Sequence, residues 1–166
     1  MKTTTLCICI LIAFFIISPV QAITAKSLDI LIQDNKDAVI TFDYELGFIE
    51  NAAVFANVAD PGAELKSALE SNTGKQVDVI QVTDNRFKAT VHNFATYQSV
   101  SENEIRMGTH ELSFSRAETI LNQYWFAPLI TIDFSPEVTS IVYPDGYTEK
   151  YLNFITIPAT SHSMKV

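Results

Sequence analysis

Apolar and polar residues alternate along several stretches of the chain, and the clearest alternation runs from Ala38 to Leu46. Every second side chain in this stretch, starting with Ala38, is apolar, and three of the four between them are polar. A period of two indicates a strand with one buried face. The β-rich segment Ser27–Gln33 precedes it across a polar turn at Asp34–Asp37, so the two segments predict a β-hairpin.

The pattern changes to helical spacing after this hairpin. Phe48–Val58 carries apolar residues three or four positions apart, which favours a helix. Asp60 and Pro61 are typical of a helix start, because Asp accepts hydrogen bonds from free amides and Pro lacks a donor that would be unpaired there. The helix predicted over Pro61–Ser71 ends before Gly74, which can adopt the left-handed conformation of a C-cap.

A third helix is predicted from Ser115 through about Tyr124, because Ser115 and Glu118 have the spacing of a capping box. The other segments are rich in β-forming residues and are separated by turn residues, such as Pro-Asp-Gly at 144–146. They predict strands at Gln76–Thr83, Arg86–Tyr97, Glu104–Leu112, Leu129–Phe134, Val138–Tyr143 and Tyr147–Ile157.

The order of these elements predicts an α+β fold with a largely antiparallel sheet. Strands come in runs joined by short turns and helices come in blocks, so the regular βαβ alternation of a doubly wound nucleotide-binding fold is absent. We expect about six to eight strands, in one sheet or two, with two or three helices packed on them. The predicted single domain covers residues 23–159, and residues 160–166 are expected to form a disordered tail.

The N-terminal segment has the order of parts of a secretory signal peptide. Lys2 precedes an uncharged apolar run centred on Leu6–Ile17, Pro19 interrupts it, and Val20 to Ala22 offer a cleavage site. We therefore predict that residues 1–22 are removed and that the domain is secreted or held at the cell envelope. An uncleaved segment would instead anchor the domain to a membrane, with the domain facing outward. Both interpretations stay open.

The amino-acid composition excludes several kinds of site and partner for the predicted exported domain. Both cysteines, Cys7 and Cys9, lie in the predicted signal segment, so the remaining chain cannot form a disulfide, a thiolate zinc site or a cysteine nucleophile. All 19 acidic residues follow residue 22, as do all but one of the 11 basic residues, which form no cluster in the sequence. Binding of nucleic acid or of an anionic membrane surface needs such a cluster, so neither is an expected partner.

Carboxylates and histidines supply the candidate sites for chemistry. Asp43 and Glu45 share one face of the predicted second strand and could hold a cation, but we favour a solvated strand face because no third ligand accompanies them. His92 and His110 fall in neighbouring predicted strands and could share a metal across a sheet, although no metal-binding spacing such as HExxH is present. His162 lies in the expected tail. We therefore predict no catalytic residue, no metal site and no cofactor.

The most distinctive segment for recognition is the aromatic run formed by Tyr124, Trp125 and Phe126. Three consecutive aromatic side chains at a helix end cannot all face one core, so at least one is expected at the surface, where aromatic rings suit protein or carbohydrate recognition. The alternative is that the helix and the following loop bury all three between core layers. Tyr124, Trp125 and Phe126 are the predicted binding residues.

Two segments resemble exported envelope proteins of methanogenic archaea that have no assigned activity: SLDILIQDNKDAVITFDYEL at 27–46, and QYWFAPLITIDFSPEV at 123–138 with YPDGY at 143–147. The resemblance implies a surface location and assigns no functional residue. We predict a non-catalytic binding or assembly domain at the cell envelope, whose partner is an extracellular or envelope protein or a glycan. The alternatives are a small extracytoplasmic hydrolase or metal-dependent enzyme with a non-local site, and the outward domain of an N-terminally anchored membrane protein.

Overall fold

Among the residues that the computed structural model describes, strands dominate, with 51% strand against 14% helix. The structure describes residues 21–47, 60–123 and 131–165. The predicted α+β class with two or three helices packed on the sheet is therefore wrong: the fold is sheet-rich, and among the described residues one helix is longer than about two turns. One reason is that the helix expected from Ser115 is cut to about two turns. The helix expected at Phe48–Val58 lies outside the described residues.

The described residues contain two helices and twelve strands. The helices are α1 (Pro61–Thr73) and α2 (Ser115–Leu121), and neither of these described helices is both long and apolar enough to cross a membrane. The strands are β1 (Gln21–Ile32), β2 (Ala38–Glu45), β3 (Val77–Thr83), β4 (Arg86–Val91), β5 (Thr96–Ser101), β6 (Glu104–Gly108), β7 (Leu112–Ser113), β8 (Thr131–Asp133), β9 (Val138–Val142), β10 (Thr148–Tyr151), β11 (Thr156–Ile157) and β12 (Ser161–Lys165).

Seven strands form the main sheet, in the order β10-β9-β1-β2-β4-β3, with β8 also pairing with β1. Neighbouring strands are antiparallel except where β1 meets β8 and β9, which run parallel to it. Two smaller sheets, β12-β6-β5 and β11-β7, are antiparallel throughout. Parallel strands need a long crossover connection, and here most of the chain lies between β1 and its parallel partners.

One face of the main sheet is the core. In the β1–β2 hairpin, which the alternating pattern predicts and the structure confirms, Leu28 pairs with Phe42 and Ile30 pairs with Ile40. All four side chains are buried. Because side chains alternate along a strand, the residues between them lie on the opposite side of the sheet. Helix α1 packs against the core face through apolar residues of its own, which are Leu65, Ala68 and Leu69.

Both ends of α1 form as the sequence predicts. Oδ1 of Asp60 accepts a hydrogen bond from the amide of Ala63 at 3.0 Å, as an N-cap does. Gly74 has a left-handed φ of 63°, and its amide donates to the carbonyl of Glu70 at 2.8 Å. The C-cap ends the helix and places Lys75 just before β3.

Two local expectations differ from the structure. Ser115 is the first residue inside α2 rather than its N-cap, and the amide of Glu118 donates to the carbonyl of Phe114 at 3.2 Å. The Glu118 carboxylate instead accepts from the amide of Phe134 at 3.5 Å. The segment expected as a disordered tail forms β12, because pairing with β6 and burial of Met164 stabilise a strand that has no clear local pattern.

Candidate functional site

A groove of about 730 Å³ opens near the β3 edge of the main sheet. Four connections meet there: the β1–β2 turn, the α1–β3 link, the β4–β5 link with the start of β5, and the link after β6. The groove is therefore assembled from segments that are far apart in the sequence. Its lining residues are Lys36, Gly74, Lys75, Gln76, His92, Asn93, Ala95, Thr96, Tyr97 and His110.

His92 lies in this groove between two carboxylates. Its Nδ1 is 3.2 Å from Oδ2 of Asp37, and its Nε2 is 2.7 Å from Oδ2 of Asp78. Asp37 belongs to the β1–β2 turn and Asp78 to β3, whereas His92 follows β4. The imidazole therefore connects three segments of the chain, and we call the group of Asp37, Asp78 and His92 the His92 clamp.

The charges of the His92 clamp stabilise one another. The pKa of His92 is raised, chiefly by the hydrogen bond to Asp78 and next by that to Asp37. The pKa of Asp78 is lowered mainly by its hydrogen bond to His92. The pKa of Asp37 is lowered mainly by the hydrogen bond that its Oδ1 accepts from the amide of Asn93 at 2.8 Å. All three shifts favour an imidazolium between two carboxylates.

This arrangement makes His92 poorly suited to catalysis or metal binding. A general base needs an unprotonated nitrogen within reach of the substrate, and a metal ligand needs a free lone pair. In the His92 clamp each ring nitrogen faces a carboxylate and donates to it when the ring is protonated. His92 therefore joins the walls of the groove, and when it is protonated its positive charge is held in a fixed position.

Two non-glycine residues with left-handed backbone line the same groove. Lys36 has a φ of 74° and Asn93 a φ of 49°. Such conformations are costly for side chains other than glycine and persist where the surrounding structure holds them. Here the amide of Ala95 donates to the carbonyl of Lys36 at 2.9 Å, and the amide of Asn93 donates to Asp37. These bonds fix the β1–β2 turn against the β4–β5 link.

Several polar side chains that line the groove make no hydrogen bond or ion pair within the part of the chain that the structure describes. They are the ammonium groups of Lys36 and Lys75, the ring of His110 and the hydroxyl of Tyr97. All four can donate hydrogen bonds and two are cations, although the whole chain has a net charge of −8. These donors are at least partly exposed to solvent and have no partner among the described residues, so the groove can present them to an anionic, acceptor-rich group.

Asp43 and Glu45 form ion pairs on the side of the main sheet opposite the core. Nε and Nη2 of Arg86 donate to the two carboxylate oxygens of Asp43 at 2.6 and 2.9 Å, and this contact is the main cause of the lowered pKa of Asp43. Nζ of Lys26 lies 3.4 Å from Glu45. Because a cation already neighbours each carboxylate, the pair is not arranged to hold a metal ion or to divide acid and base roles.

The structure brings His92 and His110 to the same groove but does not arrange them as a metal site. Among residues 21–47, 60–123 and 131–165, no group of three or more His, Cys, Asp and Glu side chains could hold a metal ion. His162 lies on β12, where its Nε2 is 2.7 Å from Oδ2 of Asp145. The predicted binding residues at 124–126 lie outside the described residues.

Sequence reasoning missed Lys36 and Lys75 as groove residues, and it missed Asp37 and Asp78 as the partners of His92. Asp37 was assigned to turn chemistry, and the hydrogen bond from its amide to Oδ1 of Asn35 at 3.0 Å shows that it does serve the turn as well. The contact of Asp78 follows from the β3–β4 register, which pairs Asp78 with Thr90, two residues before His92. Residues two apart on a strand share a face, so this register brings Asp78 to His92, but the sequence carries no local signal for it.

Comparison with known proteins does not assign the chain to a family. No family model, no curated protein and no solved structure matches it. The resemblance to archaeal envelope proteins therefore stays a prediction, and the function has to be argued from the groove itself.

Proposed function

We propose that this protein is a non-catalytic binding domain of the cell envelope that holds an anionic ligand in the groove beside His92. The observation that carries the proposal is the set of donors at Lys36, Lys75, His110 and Tyr97, which make no hydrogen bond or ion pair among the described residues. The chain has a net charge of −8, but two lysines line this groove and favour an anion there.

The ligand that we expect carries carboxylate or phosphate groups, either on a small molecule or on an exposed part of an envelope protein or glycan. Oxygen atoms of these groups accept charge-assisted hydrogen bonds from ammonium groups, and such bonds are stronger than neutral ones. Within the His92 clamp, two carboxylates offset the imidazolium charge. The attraction for an anion therefore comes mainly from Lys36 and Lys75, and the clamp keeps the connections that carry them in place.

The anion proposal is tested by titrating the purified protein with inorganic phosphate, citrate and oligogalacturonate while following amide NMR signals. We expect saturable shifts at Lys36, Lys75 and Asn93 with at least one of these probes. The double variant Lys36→Gln with Lys75→Gln should weaken that binding about tenfold or more, because it removes two charge-assisted donors.

The matched control is the double variant Lys88→Gln with Lys150→Gln. It makes the same change in net charge on the side of the main sheet opposite the core, where Lys88 pairs with Thr41 and Lys150 with Ser140. We expect it to bind like the original protein. Equal weakening by both double variants would show a general charge effect and contradict the groove, as would the absence of saturable shifts with every probe.

The extracytoplasmic location is supported by the predicted signal peptide and is tested separately. The intact mass of the protein from native membrane and soluble extracellular fractions should correspond to a chain that starts at Ile23 and is released. A full-length mass confined to membranes would contradict release and support the outward domain of an anchored protein.

A further inference from the structure

A second group of side chains lies at the opposite edge of the main sheet, where β10 is the edge strand. Tyr147 and Phe154 are exposed, whereas Glu149 and Tyr151 are half-buried and Tyr151 packs against the core. Tyr147, just before β10, is 45% exposed although His162 stacks on its ring, with centroids 4.0 Å apart and an angle of 10° between the planes. The hydrogen bond between His162 and Asp145 holds the imidazole in position. One face of the Tyr147 ring is therefore covered, and the exposed area belongs to the rest of the ring.

Carboxylate and hydroxyl groups continue from Tyr147 along β10. Because side chains alternate along a strand, Tyr147, Glu149 and Tyr151 lie on the same side. The hydroxyl of Tyr151 donates to Oε2 of Glu149 at 2.8 Å, and the hydroxyl of Thr160 donates to the same oxygen. These bonds orient the carboxylate and leave its Oε1 without a hydrogen bond among the described residues.

The turn after β10 exposes two more apolar side chains. Leu152 and Phe154 are 62% and 47% exposed, and Asn153 between them has a left-handed φ of 58°. The amide of Asn153 donates to the carbonyl of Pro136 at 3.0 Å, which anchors this costly conformation. Phe154 also packs edge-on against Tyr151, with centroids 5.8 Å apart. Rings that are already held lose little conformational freedom when a partner binds.

We propose that Tyr147, Glu149, Tyr151 and Phe154, which we call the aromatic strip, bind an uncharged oligosaccharide. The flat face of a sugar ring presents C–H bonds that pack against an aromatic ring, and its hydroxyl groups donate hydrogen bonds to carboxylate oxygens. Tyr147 supplies the exposed ring, and Oε1 of Glu149 supplies the acceptor beside it. The proposal does not depend on the groove or on its ligand.

Charge and spacing favour an uncharged glycan over other occupants of the aromatic strip. Asp145 and Glu149 place two carboxylates next to the rings, so they repel an anionic lipid surface, a nucleic acid or an acidic glycan. A protein partner prefers a contiguous apolar patch, whereas here Glu149 lies between Tyr147 and the packed pair of Tyr151 and Phe154. Tyr147 and Tyr151 are about 13 Å apart at the rise of a β-strand, which suits an oligosaccharide better than a single sugar.

The proposal is tested by titrating the purified protein with chitohexaose, cellohexaose and mannohexaose while following aromatic and amide NMR signals. We expect at least one of these oligosaccharides to cause saturable shifts centred on Tyr147 and Tyr151 at millimolar concentrations. Tyr147→Ala should weaken that binding about tenfold, whereas Tyr147→Phe keeps the ring and should bind like the original protein.

Tyr97→Ala is the matched control, because Tyr97 is a similarly exposed tyrosine, at 53%, in the groove. It should leave oligosaccharide binding unchanged. If Tyr147→Ala does not fold, Glu149→Gln serves as the second test and should weaken binding several-fold by removing the charged acceptor. Absence of shifts with all three oligosaccharides, loss of binding in Tyr97→Ala, or unchanged affinity in both Tyr147→Ala and Glu149→Gln would overturn the proposal.

Discussion

His92 and His162 are both hydrogen-bonded to aspartate side chains, and they lie toward opposite edges of the main sheet. Both ring nitrogens of His92 contact carboxylates from two other segments, so His92 joins parts of the chain. One ring nitrogen of His162 contacts Asp145 and its ring stacks on Tyr147, so His162 supports an exposed aromatic ring. In neither region is the histidine the group that we expect to contact a ligand. In both, it positions neighbours that can.

The largest loss of stability should follow removal of the Asp37 carboxylate, because this carboxylate contacts both His92 and the backbone amide of Asn93. Asp37 accepts hydrogen bonds from the amide of Asn93 and the side chain of Asn35 and contacts His92, and its side chain is 16% exposed. Asp37→Ala should therefore lower the free energy of unfolding by about 2 kcal/mol, measured by urea denaturation. Asp145→Ala is the counterpart beside His162 and should cost less, because Asp145 is more exposed. An equal or larger loss of unfolding free energy in Asp145→Ala would contradict the view that His92 joins segments of the chain whereas His162 only supports the Tyr147 ring.

Each region also contains an asparagine with left-handed backbone, at φ 49° for Asn93 and φ 58° for Asn153. Replacing either by Ala should lower the free energy of unfolding by about 1 kcal/mol, because a β-carbon without the local hydrogen bonding of Asn is disfavoured there. Asn93→Gly and Asn153→Gly are the controls and should be close to neutral, since glycine adopts positive φ readily. Urea denaturation of the four variants compares the regions directly. A loss at one asparagine without a loss at the other would show that only one backbone is held under strain.

The parts of the fold that could be predicted from the sequence are those marked by a pattern of neighbouring residues. The β1–β2 hairpin follows from the alternation that starts at Ala38, and the limits of α1 follow from caps at Asp60 and Gly74. The fold class is mispredicted because the helix expected through about Tyr124 ends at Leu121 and because β12 has no such pattern. β12 forms where β6 offers a partner strand, and pairing of that kind depends on the tertiary context more than on the residues involved.

The His92 clamp depends on a bulge that no local pattern marks. The β3–β4 register shifts between Val79 and Gln81, so Asp78 pairs with Thr90 and lies on the same face as His92. Without that shift Asp78 would pair with Val91, and its side chain would lie on the core face. One additional residue in β3 therefore decides whether the clamp exists, which is why residue spacing alone did not reveal it.

Removal of the hydroxyl group should have a small effect on stability at Tyr151 and none at Tyr147, the two tyrosines of the aromatic strip. Tyr151→Phe removes the hydroxyl that donates to Glu149 but keeps the ring that contacts Phe154. We expect the free energy of unfolding to fall by about 0.5 kcal/mol, the lower end for a net hydrogen bond because the pair is partly exposed. Tyr147→Phe should leave stability unchanged, because the Tyr147 hydroxyl makes no hydrogen bond among the described residues. A loss in Tyr147→Phe would contradict the view that this ring is supported only through its face.

The weakest effect should be the pH dependence of the His92 clamp, because His92 is 37% exposed and solvent screens its charge. The raised pKa of His92 makes its contribution complete below the unfolded value of 6.5, and the contribution is lost as pH rises through the folded value. The lowered pKa values of Asp37 and Asp78 make their contributions complete above 3.8, and these are lost as pH falls through the folded values. His92→Gln should therefore destabilise the protein more at about pH 5.5 than at about pH 9.

Direct titration of His92 by NMR sharpens this last comparison. In the original protein the pKa of His92 should lie above 6.5, and Asp78→Asn should lower it, because the hydrogen bond to Asp78 is the largest cause of the shift. Gln76→Ala is the control, since Gln76 contacts the other oxygen of Asp78 and not the ring. A His92 pKa that is the same in Asp78→Asn as in the original protein would contradict the contact between Asp78 and the ring. Of the two clamp carboxylates Asp37 alone would then stabilise the imidazolium, and His92 would no longer join β3 to the β1–β2 turn.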